Sequence, residues 1–173
     1  MVNYKVPEKP VSMTTNHLYG ISETGQQTNV REYLQTNGFG LTADLLTQGF
    51  KPADIEEAVN SGDVSVAHWP TREPKTDMYW AKDSKTLLKL GELADEAVRF
   101  CYGQNENQPI GGNFATVGTE MESQQRALVG LIYARHQGKL REIPELDQGA
   151  GPLYVAKGSF SDKLFEKLFP EQR

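Results

Sequence analysis

The residues whose types and spacing come closest to chemistry are Glu120 and Glu122, two carboxylates that follow a long stretch rich in Gly, Asn and Gln. A positioned carboxylate pair can perform general acid–base work. The stretch before it, Gly103 to Asn113, has no apolar period and contains Gly103, Gly111 and Gly112, which marks it as more than an ordinary connection. Glycines ahead of a helix N-terminus expose free amides that can hold a phosphate or another anion. However, the spacing matches neither the dinucleotide fingerprint nor the Walker loop, no Lys follows the glycines, and the two glutamates would repel an anion. Capping offers a structural explanation for the same residues. In Thr119-Glu120-Met121-Glu122 the Thr can accept from the third helical amide while Glu122 reaches back to the Thr amide, which predicts a helix start at Thr119.

Other routes to chemistry are thin. His17, His68 and His136 have no HxH or HxxxH spacing, so a metal site would require the fold to gather them. The single cysteine, Cys101, rules out an internal disulfide and multi-cysteine metal sites, and it falls on an apolar helical stripe as a buried hydrophobe would. No Gly-x-Ser-x-Gly elbow occurs. Glu120-Met121-Glu122 resembles the Glu-x-Glu of arginine-modifying ADP-ribosyltransferases. That family places its Ser-Thr-Ser strand before the acidic pair, whereas the similar Ser159-Phe160-Ser161 here follows it. No cofactor and no metal is expected. The net charge of −5 provides no basic footprint for nucleic acid. Arg135, His136, Lys139 and Arg141 group at a predicted helix C-terminus, where they suit the helix dipole and its last carbonyls.

The elements that must position these groups can be read from periodicity. Residues 1–15 are expected to form an extended arm, because Pro7 and Pro10 prevent helix, and residues 16–173 a single globular domain. His17 to Ser22 has the pattern of a short strand. Glycines then bound three short helices between residues 28 and 61, with Pro52 at the first position of the third, and Val30, Tyr33, Leu34, Leu41, Leu45, Leu46, Phe50 and Ile55 as their shared core. Leu46 to Ala67, with Gly49-Phe50 followed nine positions on by Ala58-Val59, resembles the first two helices of ubiquitin-associated three-helix domains. After Gly62 the sequence departs from that pattern, since Val64 and Val66 alternate like a strand and Pro70 blocks a helix.

Asp63 to Trp69 and Asp77 to Ala81 predict a hairpin. A long helix over about 84–102, capped by Ser84, carries Leu87, Leu90, Ala94, Ala97, Val98 and Cys101 on one face. A second, over about 119–137, is apolar all round from Ala127 to Ala134, and Gly130 marks where the two helices cross. The chain is irregular after Gly138. Leu153 to Ala156 then forms a strand, and a last helix, capped by Ser159 or Ser161, carries Leu164, Phe165, Leu168 and Phe169 on one side.

The fold class expected is therefore α+β and mainly helical. The function expected is non-enzymatic protein–protein binding or assembly, as a component of a phage or other particle or as a contact inhibitor. Its contacts would be made by Pro7 and Pro10 of the arm and by the apolar side of the last helix, to a protein partner or a second copy. The alternative is a small enzyme acting through residues 103–122, with Glu120 and Glu122, on a phosphate-bearing or glycosidic substrate. No apolar run approaches the ~20 residues that span a bilayer, and the first ten residues lack a signal-peptide core, so a cytoplasmic location, or a particle assembled there, is expected.

Overall fold

The hairpin predicted from alternation lies in the middle of the fold. In the computed structural model, which describes residues 29–69, 76–102, 111–146 and 151–169, β2 (Val64–Trp69) pairs antiparallel with β3 (Thr76–Ala81), placing Val66 opposite Tyr79 and His68 opposite Asp77. A two-residue strand, β1 (Gly40–Leu41), pairs with the other edge of β3 and makes the order β1-β3-β2. Successive side chains on a strand point to opposite faces. Ala67, Met78 and Trp80 therefore enter one core, and Val64, Tyr79 and Ala81 another.

The second of these cores is the cluster of short helices α1 (Val30–Asn37), α2 (Thr42–Thr47) and α3 (Pro52–Asn60). Asn29 caps α1, its side chain accepting from the Glu32 amide at 2.8 Å, and Gly38 ends the helix at a φ of 90°, a conformation that favours glycine. Pro52 opens α3 at its first turn as expected. Val30, Leu34, Leu45, Phe50 and Ile55 are buried together, while Leu46 is instead exposed and Leu41 packs toward the other core. Where a three-helix domain would place its third helix, the chain continues as β2.

The larger core is built by α4 (Ser84–Cys101), α5 (Phe114–Glu120) and α6 (Gln124–His136). Asp83 rather than Ser84 caps α4, accepting from the Thr86 amide at 2.9 Å. The crossing expected at Gly130 is present. A Cβ there would lie 2.6 Å from the Leu93 carbonyl oxygen and 3.0 Å from the Ala97 Cβ, so only a bare backbone lets the two helices approach this closely. The helix predicted from Thr119 is broken in two, and its long part starts at Gln124.

The segment after Gly138 is not irregular. It forms β4 (Leu140–Ile143), which pairs antiparallel with β5 (Leu153–Ala156), and α7 (Phe160–Leu168), capped by Ser159, follows. The four basic residues around the end of α6 serve this region and its neighbours more than their own helix. Arg135 pairs with Glu142 at 2.7 Å and donates to the His68 carbonyl, Lys139 pairs with Asp95 at 2.6 Å, Arg141 pairs with Asp162, and His136 packs on Trp80 and Tyr133. Among the described residues no helix is long and apolar enough to cross a membrane.

Two substitutions test this architecture. Leu131, fully buried in α6, should lose roughly 2–5 kcal/mol on Leu131→Ala in urea denaturation. Gly130→Ala improves helix propensity by about 1 kcal/mol, but overpacking against the Leu93 backbone should outweigh this and leave the variant less stable than wild type. A stabilised Gly130→Ala protein would show that the crossing is looser than described.

Candidate functional site

The glycine pair ahead of α5 serves packing. Gly112 bridges to Tyr154 of β5, its amide donating to the Tyr154 carbonyl at 2.9 Å and its carbonyl accepting from the Tyr154 amide at 2.8 Å. A Cβ on Gly111 would meet the Tyr154 oxygen at 2.1 Å, and one on Gly112 would meet Val117 at 2.6 Å. Asn113 caps α5 by accepting from Thr116, and the Thr116 hydroxyl accepts the Asn113 amide. The Gly112 and Asn113 amides are thus already bonded within the protein. Residues 103–110 of the same stretch lie outside the described residues.

Thr119 does not start a helix. It lies in the last turn of α5 with its hydroxyl donating to the Ala115 carbonyl at 3.1 Å, and Ser123 takes the capping role for α6, accepting from the Arg126 amide. Glu122 sits between the two helices at a φ of 54°, a left-handed conformation that breaks the helix. Glu120 and Glu122 are both exposed, and neither carboxylate makes a hydrogen bond or ion pair among the described residues. Cys101 is fully buried, and burial pushes its thiol up to about 12, so it is no nucleophile at neutral pH.

The four residues expected on the last helix divide between exposed Leu168 and half-buried Leu164, Phe165 and Phe169. Phe160 is 65% and Leu168 59% exposed, with the half-buried Leu164 between them at four-residue spacing, and Phe165 and Phe169 stack at 6.1 Å. A buried ion pair anchors this helix. Arg141 Nε meets Asp162 Oδ1 at 2.5 Å, and Asp162 Oδ2 accepts from the Gly158 amide at 2.8 Å. Pro7 and Pro10, the arm's share of the expected contacts, and the strand expected at His17 to Ser22 lie outside the described residues.

One polar cluster has no precedent in the sequence pattern. His68 and Asp77, paired across the hairpin, approach to 2.8 Å between Nδ1 and Oδ1. The Tyr79 hydroxyl donates to Asp77 Oδ2 at 3.5 Å, and the Thr42 hydroxyl accepts the Asp77 amide at 3.3 Å. His68, Tyr79 and Thr42 line an apolar cleft of about 270 Å³ between the sheet and helices α2 and α3. The register of the hairpin is what creates this cluster, and it was the one signal that could have revealed it. Among the described residues no group of His, Cys, Asp and Glu is placed to hold a metal ion.

No protein-family model, no curated protein and no solved structure matches this chain.

Two outcomes are expected from these contacts. Glu122→Gly should keep or raise stability, because glycine removes a left-handed strain of about 1–2 kcal/mol; a clear loss in thermal denaturation would mean that the Glu122 side chain contributes a contact. Asp162→Ala should cost about 1.5–3 kcal/mol by removing the charge-assisted bonds that its carboxylate accepts from Arg141 and the Gly158 amide, while Arg141 keeps Glu166 at 3.8 Å. Burial alone would raise the Asp162 carboxyl, but the Gly158 amide and the Arg141 guanidinium outweigh burial and hold it below the usual carboxylate range. With the folded value depressed, the stabilisation is complete above the unfolded value of about 3.9 and is lost as pH falls through the folded one. Urea denaturation between pH 7 and pH 2 should therefore show a shallower acid loss in Asp162→Ala than in wild type.

Proposed function

We propose that the protein acts by binding rather than by catalysis, as a protein–protein or assembly component whose contact face is α7. The observation that carries this reading is the apolar row Phe160, Leu164 and Leu168, with two of its three members more than half exposed on a helix whose base is fixed by a buried ion pair. Covering a large apolar side chain is worth about 1.5–3 kcal/mol. A surface already held in place also loses little conformational freedom when a partner arrives. The partner is a second copy of the chain or another protein. Membership of a particle such as a phage, or inhibition by contact, would use the face in the same way.

The enzymatic alternative needs Glu120 and Glu122 in a shielded site, and both are exposed. Desolvation and positioned partners are what tune a carboxylate for proton transfer at neutral pH.

The double variant Phe160→Glu/Leu168→Glu tests the proposal. In sedimentation of an extract from cells expressing the tagged protein, wild type should run in a complex heavier than its own 19.3 kDa, and the variant at its own mass with an unchanged melting temperature. Identical sedimentation of the two proteins would overturn the reading.

A further inference from the structure

We infer that the cleft between β2, β3, α2 and α3 is a binding site for a small, neutral, ring-bearing molecule with one N–H or O–H donor, which His68 accepts. This site is separate from the α7 face and does not depend on it.

The size of the cleft sets the first limit. A dry apolar cavity of roughly 150 Å³ holds benzene, so about 270 Å³ has room for a fused or substituted ring. Leu46, Ile55, Val59 and Val66 supply apolar walls, and Leu46 is 44% exposed at a surface where a large side chain would otherwise be expected to pack.

The polar groups set the second limit. An ionised carboxylate only accepts hydrogen bonds. With Asp77 Oδ1 at 2.8 Å, the proton of neutral His68 sits on Nδ1, and the other ring nitrogen, Nε2, keeps its lone pair. That nitrogen has no partner among the described residues, although the histidine side chain is 73% exposed and lines the cleft. Asp77 is itself held by the Tyr79 hydroxyl and by Thr42, so the imidazole is oriented before any ligand arrives. Burial, with the Asp77 carboxylate nearby, raises the Tyr79 phenol above its ordinary value and keeps it protonated. A lone exposed His–Asp pair would contribute little to stability. A few convergent polar groups at the edge of an apolar pocket are, by contrast, how small-molecule sites fix orientation.

Charge sets the third limit. Glu56 lines the cleft and Asp77 lies behind His68, so an anionic ligand would be repelled; Glu56 is exposed and Asp77 is already paired with His68, so a cation would gain little there against the cost of leaving water for the apolar walls. What remains is a neutral donor such as an indole or a phenol.

The test uses the full chain at pH 8 and three probes: indole, N-methylindole and indole-3-carboxylate, titrated by ¹H–¹⁵N chemical-shift changes. Indole should bind saturably and shift the amides of β2, α2 and α3. N-methylindole, which lacks the donor, should bind roughly five- to tenfold more weakly, the factor one neutral hydrogen bond supplies, and the carboxylate should bind more weakly than indole. His68→Phe should erase the preference for indole over N-methylindole while leaving N-methylindole binding in place. Val59→Trp should abolish binding of both in a protein whose circular dichroism shows it is folded. No saturable binding of indole, equal affinity for indole and N-methylindole, or an unchanged preference in His68→Phe would each overturn the inference.

Discussion

The strand β3 must satisfy two cores at once, and the rest of the structure depends on this. Met78 and Trp80 face α4 and α6, Tyr79 and Ala81 face the short helices, and β1 and β2 occupy both edges. A shift of one residue in its register would send every side chain to the wrong face. The Trp80 ring, 2% exposed and edge-on to Tyr133 at 5.3 Å, makes that shift costly on one side. On the other side, Ala81 is buried in the cluster that holds Leu34 and Phe50. The His68–Asp77 pair is a by-product of the same register. The chemistry at the cleft and the joining of the two cores therefore have a single cause.

The second sheet is held by charge as well as by apolar burial. Arg141 and Glu142 are neighbours on β4, and each reaches a partner on a different helix, Asp162 of α7 and Arg135 of α6. Burial raises the Glu142 carboxyl, and the nearby Arg135 opposes this without reversing it. The β4–β5 pair thus couples the central helix to the terminal one. The Arg141–Asp162 contact lies in the first turn of α7, whose Phe160 and Leu168 are exposed.

Much of the helical framework was legible because it depends on local signals. The stripe of α4, the apolar run of α6, the Gly130 crossing and the Pro52 start each announce themselves within a few residues. Strands β2, β3 and β5 were legible for the same reason. What was hidden depends on distant partners. β4 reads as polar until Asp162 and Arg135 are placed against it, and two-residue β1 has no pattern to show. The break at Glu122 could not be read, because glutamate has no preference for the left-handed conformation it adopts. Asp83 and Ser84 are both good caps, and only the geometry shows that Asp83 is used. Of the expected site residues on α7, Leu168 is exposed and Leu164, Phe165 and Phe169 are half-buried, whereas the glutamates separate into the end of one helix and the linker after it.

The Gly112 bridge to Tyr154 also governs how the chain tolerates change. A Cβ on Gly112 would sit 3.3 Å from the Cys101 sulfur and 3.4 Å from the Phe100 carbonyl, so the end of α4 and the start of the α5 segment are pinned side by side in the core. A single methyl added at this glycine would therefore be felt in three elements at once, since α4, α5 and β5 all meet its backbone.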